Sequence, residues 1–144
     1  MWRTRVTLPT QIELDLSRWP LVLTTPPGRA VSDAELFDFL ERLALALRQR
    51  EGRYVNVLDL RLHIGLTPKQ QRMLASHMNA SHDAFAADRL CGTAMVFTSA
   101  LMRSLLTGIF WLRKSQSPAA VFANLEDALA WGSRTLQQAQ ARTG

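Results

Sequence analysis

The chain has 144 residues, 47% of them hydrophobic and 20% charged, with a formal net charge of +5 and a sequence isoelectric point near 10.6. That length suits one domain of ordinary globular composition, and a single cysteine, Cys91, excludes a disulfide scaffold and a cysteine-rich metal site. The basic residues are scattered over different segments with no basic arm, so nucleic acid is not expected; no apolar run reaches the ~18 residues of a membrane helix, and Met1 to Val6 lacks a signal-peptide core, so a cytoplasmic protein is expected.

Along the chain, Ile12, Leu14 and Leu16 alternate with Glu13, Asp15 and Ser17, the period of two of a half-buried strand. Arg18-Trp19-Pro20 turns the chain into a second strand, Leu21 to Thr25, and the two form a hairpin. Ser32 and Glu35 make a capping box ahead of a helix whose apolar stripe is Leu36, Leu40, Leu43 and Leu47, widened by Phe37 and Ala44. Arg48, Arg50 and Gly52 suit its C-terminal end. The run Tyr54 to Leu60 is nearly continuous in apolarity, as a central strand requires.

From Thr67 a second helix is predicted to about Ala86, with Leu74, Met78, Ser81 and Phe85 on one side. Gly92 to Thr98 reads as a strand, Ser99 caps a third helix to about Arg113, Ala119 to Phe122 is a short strand, and Asn124 caps a last helix. The core is expected over about 12–136, with residues 137–144 frayed. The order is β-β-α-β-α-β-α-β-α, an α/β fold with a mostly parallel sheet and an N-terminal hairpin.

Sites were sought by chemistry. His77 and His82 lie about 140° apart around a helix axis and His63 lies in a loop, so no metal is expected. Cys91 lacks a suitably spaced His-Asp pair and reads as core filler, and no phosphate-binding glycine loop or nucleophile elbow is present, so neither catalysis nor a cofactor is expected. Trp19 and Trp131 read as packing residues. Thr67-Pro68-Lys69-Gln70 is a second capping box. With Arg61 and His63 nearby, Thr67 is also a candidate regulatory or anion site, because a phosphate there faces a helix N-terminus and cations.

A strand ending in Asp59-Leu60-Arg61, then a turn and a hydroxyl-capped helix, within this order of elements, resembles the STAS or SpoIIAA-like family, which includes anti-sigma factor antagonists. The resemblance implies a protein-binding module, with Thr67 at the place of the phosphorylated serine, although Gly65-Leu66-Thr67-Pro68 departs from the family's Asp-Ser-Ser/Thr-Gly signature.

On the predicted third helix, Leu101, Met102, Leu105, Ile109 and Leu112 share a core-facing stripe. Leu106 and Phe110 fall outside it, beside Arg103, Arg113 and Lys114, with Trp111 on the opposite shoulder. Surplus apolar side chains next to arginines suit a partner interface. The expectation is therefore a non-enzymatic protein–protein interaction module in a regulatory or scaffold role, compatible with a homo-oligomer, with membrane-surface contact disfavoured. The alternative is a carrier of a small hydrophobic ligand or lipid, with Met73, Met78, Met95 and Met102 as candidate lining.

Overall fold

The computed structural model describes residues 11–62, 65–80, 89–99 and 118–143, without the side chains of 78–80 and 143. Its elements are β1 (Glu13–Asp15), β2 (Leu21–Thr25), α1 (Asp33–Arg48), β3 (Tyr54–Asp59), α2 (Pro68–Ala80), β4 (Leu90–Val96), β5 (Ala119–Phe122) and α3 (Leu125–Thr143). The helix predicted over 99–113 lies outside the described residues from position 100 onward. The strands form one five-stranded sheet in the order β1-β2-β3-β4-β5, antiparallel between β1 and β2 and parallel thereafter. The chain is thus an α/β protein with a mostly parallel sheet and an N-terminal hairpin.

Strand alternation divides the sheet between two cores. On one face, Val22 and Tyr54 pack with Leu36, Leu40, Leu43 and Leu47 of α1, joined by Leu74 and Met73 of α2. On the other, Leu21, Leu23, Val55, Val57, Ala94 and Val96 pack against Ala128 and Leu136 of α3. Tyr54, Val55 and Val57 are fully buried, as a central strand covered on both faces requires.

Each helix begins on side-chain caps that replace its missing backbone partners. Ser32 Oγ accepts from the Glu35 amide at 3.0 Å, and Glu35 accepts from the Ser32 amide at 2.9 Å. The Glu35 carboxylate also takes a bidentate pair from Arg29 at 2.9 and 2.6 Å. Asn124 accepts from the Asp127 amide at 2.9 Å and starts α3. The buried apolar stripe of α1 includes Phe39, not Phe37, which is 53% exposed. The stripe turns toward Phe39 as α1 lies on the sheet, and Phe37 instead meets His77 of α2 edge-on at 6.0 Å.

The C-terminal end of α1 is held by a residue far along the chain. Arg89 donates to the carbonyls of Leu47, Arg50 and Gly52 at 3.1, 3.0 and 3.0 Å. Gly52 takes φ +91°, a conformation glycine enters without a Cβ penalty. Arg89 also lies over the Tyr54 ring, Tyr54 stacks on Trp19, and Arg50 lies over Trp19, giving a four-layer stack with spacings of 5.7, 6.1 and 5.6 Å. Packing of Trp19 follows from this stack.

Two boundaries differ from expectation. β4 begins at Leu90 and ends at Val96 rather than spanning 92–98, because Arg89 anchors the strand's entry and Tyr54 pairs with Leu90. Nor do residues 137–143 fray: α3 continues to Thr143. Ala139 is buried and its carbonyl accepts from Arg53 at 2.7 Å, so the last turns are tied to the segment before β3. Gly92 faces Trp131, where a Cβ would come within 2.9 Å of the indole, so α3 can lie close on the sheet.

Arg89→Met keeps the aliphatic stem and removes three charge-assisted hydrogen bonds from the α1 terminus; unfolding in urea should show a loss of about 2 kcal/mol with unchanged far-ultraviolet dichroism. A loss under 0.5 kcal/mol would show that water replaces Arg89. Arg29, with the Ser32 amide, holds the Glu35 carboxyl near 2, below its ordinary 4.5. A lowered pKa stabilises the fold above the unfolded value and is lost as pH falls through the folded one. The stability gap between wild type and Glu35→Gln should therefore be constant above about pH 4.5 and vanish toward pH 2, as urea midpoints at several pH values will show.

Candidate functional site

Between the sheet and the two helices on its first face lies a cleft of about 300 Å³. One wall is Leu36, Phe39, Leu40 and Leu43 of α1, and Leu74 of α2 adds to the other side. Ile12, Pro26, Val31, Leu60, Leu66 and Leu90 complete the apolar lining. The floor is the sheet itself, where Thr24 of β2, Asn56 of β3 and Thr93 of β4 lie among Leu58 and Met95. No lining residue among those described is charged. Of the methionines expected to line a cavity, Met95 does so; Met73 packs against the adjoining core, the Met78 side chain and Met102 lie outside the described residues.

Elsewhere this face of the sheet presents Val22 and Tyr54, which meet α1 directly. Thr24, Asn56 and Thr93 lie outside that packed cluster and line the cleft instead. In register, Asn56 is the direct partner of Thr93 on β4, and Thr24 sits two residues beyond Val22, the partner of Asn56 on β2. None of the three side chains hydrogen-bonds another described residue, and Asn56 and Thr93 are half-buried and open to the cleft.

A second, smaller depression of about 260 Å³ lies at the C-terminal ends of β2 and β3, lined by Thr25, Asp59, Arg61 and Leu62. Asp59 is 8% exposed and receives Arg61 through Nε at 2.8 Å and through Nη2 at 2.6 Å. That bond raises the Arg61 pKa above its already high value and supplies its charge with an internal counter-ion.

Thr67 does what its capping box predicts. Its Oγ1 accepts from the Gln70 amide at 3.1 Å, and Gln70 Oε1 accepts from the Thr67 amide at 3.1 Å. Gln70 is buried and its amide nitrogen also donates to Val31 O at 2.7 Å and Asp33 Oδ1 at 3.1 Å, while Lys69 pairs with Asp33 at 2.9 Å. The start of α2 is thereby stitched to the start of α1. Lys69 and Gln70 hold the Asp33 carboxyl below the usual carboxylate range.

The remaining sequence candidates fall elsewhere. His63, Arg103, Leu106, Phe110, Trp111, Arg113 and Lys114 lie outside the described residues. Cys91 is half-buried, and burial pushes its thiol pKa up, which disfavours the thiolate that a nucleophile needs. Burial likewise pushes the Tyr54 phenol up to about 12. Glu41 approaches His77 to 4.0 Å, and His82 lies outside the described residues. Trp131 packs beside Phe122 at 5.9 Å.

Compared with known proteins, the chain matches no family model, no curated protein and no solved structure.

Thr24, Asn56 and Thr93 are the site residues that sequence reasoning missed. The signal was an asparagine inside an otherwise apolar central strand, a residue depleted from strands. Without the register, it reads as one tolerated polar residue rather than the partner of Thr93 on a polar patch of the sheet.

Removing the cap should weaken the fold without affecting the cleft. Thr67→Ala should lose about 1 kcal/mol in chemical denaturation, and Thr67→Ser should recover most of it. Equal stability of all three proteins would show that Gln70 holds the helix start unaided.

Proposed function

We propose that this chain is a non-enzymatic binding module of STAS-like, SpoIIAA-like architecture in a regulatory role, and that it works by holding a small hydrophobic molecule in the cleft between α1, α2 and the sheet. The observation that carries the reading is the cleft itself: about 300 Å³ walled by leucines and Phe39, with no charged side chain among the described lining. Its volume is at the lower end of small-molecule sites, and its composition is that of such sites, mostly apolar with a few polar groups that fix orientation. An eight-carbon chain buried there contributes gross about 6 kcal/mol at ~0.8 kcal/mol per methylene. Association costs about 4 kcal/mol or more, so apolar contact alone yields weak binding and polar contacts must set the affinity. The element order and the Asp59-Leu60-Arg61 turn into a hydroxyl-capped helix support the architectural part of the proposal.

A second reading, a protein–protein interaction or scaffold module with a homo-oligomeric form, is favoured by Phe37 and Leu45. These two residues lie two turns apart on α1 and are each 53% exposed. Leu62, after β3, is 42% exposed. In this reading Arg103, Leu106, Phe110, Trp111, Arg113 and Lys114 supply the contact, and Thr67 with Arg61 and His63 is its switch.

Titration with Nile red, a neutral dye that brightens in apolar surroundings, separates the two. The wild type should bind it, and Met95→Trp, which fills the cleft from its floor, should not, at equal melting temperature. Absence of dye binding, together with an oligomer by native mass spectrometry that the Leu106→Ser, Phe110→Ser variant dissociates, would establish the second reading instead.

A further inference from the structure

We infer that the cleft is built for a neutral amphiphile, a chain of about ten non-hydrogen atoms carrying one uncharged hydroxyl or amide group that seats on Asn56 between Thr24 and Thr93. The inference rests on the ligand-binding reading above and names the class of ligand.

Asn56 lies mid-strand in β3, where its neighbours Val55 and Val57 are fully buried on the opposite face. Its carboxamide offers two donors and an acceptor, and each threonine hydroxyl offers a donor and an acceptor. These groups share one floor, because Asn56 and Thr93 are register partners and Thr24 lies on the same face of β2, two residues beyond Val22, the partner of Asn56. Thr24 is 7% exposed, and none of the three side chains is hydrogen-bonded within the described residues. Asn56 and Thr93 are half-buried and open to the cleft, so a ligand that displaces water from them must offer a group that both gives and accepts a hydrogen bond.

The charge of the ligand follows from the walls. Among the described lining residues there is no Lys, Arg, His, Asp or Glu. A carboxylate or ammonium entering the cleft gives up its hydration and meets no counter-ion among the described lining residues, whereas a hydroxyl or amide exchanges water for Asn56 and the threonines. Arg61, at the strand ends, is already paired with Asp59. Length follows from volume, since about 300 Å³ holds the equivalent of roughly ten waters at ~30 Å³ each.

The test compares 1-octanol with octanoate at pH 7 by calorimetry and by chemical-shift changes, on the wild type, Asn56→Ala and Thr93→Val. 1-Octanol should bind the wild type at least tenfold more tightly than octanoate, and octanoate should gain affinity as acid protonates it. Asn56→Ala, which removes the amide without blocking the cleft, should weaken 1-octanol about tenfold, and Thr93→Val should weaken it less, both at melting temperatures close to wild type. Should Asn56→Ala prove unstable, Thr93→Val with Thr24→Val carries the same comparison. Octanoate binding as tightly as 1-octanol, or 1-octanol indifferent to the floor substitutions, would overturn the head-group assignment while leaving an apolar ligand site intact. No binding of either probe, with water or a second copy of the chain filling the cleft, would overturn both readings.

Discussion

Strand β3 must satisfy two cores at once, and most of the architecture depends on that constraint. Val55 and Val57 are committed to α3, while Tyr54 and Asn56 are committed to the face beneath α1 and α2. Because side chains alternate, a slip of one residue would drive Asn56 into the packed layer against Ala128 and Leu136 and move two valines under the cleft. Neither face tolerates the exchange. The register with β2 and β4 is therefore fixed by packing on both sides, and the irregularity between Tyr54 and Val55 absorbs one extra residue of β4 without breaking it.

The layers are locked together by a few long side chains rather than by many surface ion pairs. Arg89 binds three carbonyls at the end of α1, Gln70 joins the starts of α1 and α2, and Arg53 reaches the carbonyl of Ala139. Arg89 and Arg53 bring guanidinium groups to carbonyls at or near helix C-terminal ends, where a hydrogen bond counts for more than on an open surface, and Gln70 bonds the Val31 carbonyl and the Asp33 carboxylate. Salt bridges such as Arg42 with Asp38 lie in solvent and contribute little by comparison.

Against this background the cleft floor departs from the rest of the core. A leucine or valine in place of Asn56 or Thr93 would bury more apolar surface against the cleft walls, so stability alone gives no reason to keep them. Asn56 and Thr93 are register partners with Thr24 diagonal to Asn56, and they sit where packing beneath α1 and α2 leaves a cleft. The capped end of α2 is the contrasting case: Thr67 is fully accounted for by its bonds with Gln70, so the residue that looks most like a switch already has a structural occupation.

From the residues alone one could read the two capping boxes, the asparagine cap of α3, the hairpin and the parallel β-α alternation, since each is written within a few neighbouring positions. Strand β2 and helix α1 could be bounded to within a residue or so for the same reason. Phe37 was misplaced because its angle on the helix sits near the edge of the apolar stripe, and only the tilt of α1 on the sheet decides which edge is covered. The expected fraying of the last turns failed because their partner, Arg53, lies 86 positions away. Local sequence thus determined the kinds of elements and where they start, through hydrogen bonds and periodicities that span four residues or fewer. Tertiary structure alone decided that Thr24, Asn56 and Thr93, drawn from three separate strands, share one floor, because a side chain's neighbours across a sheet are set by register and not by the chain.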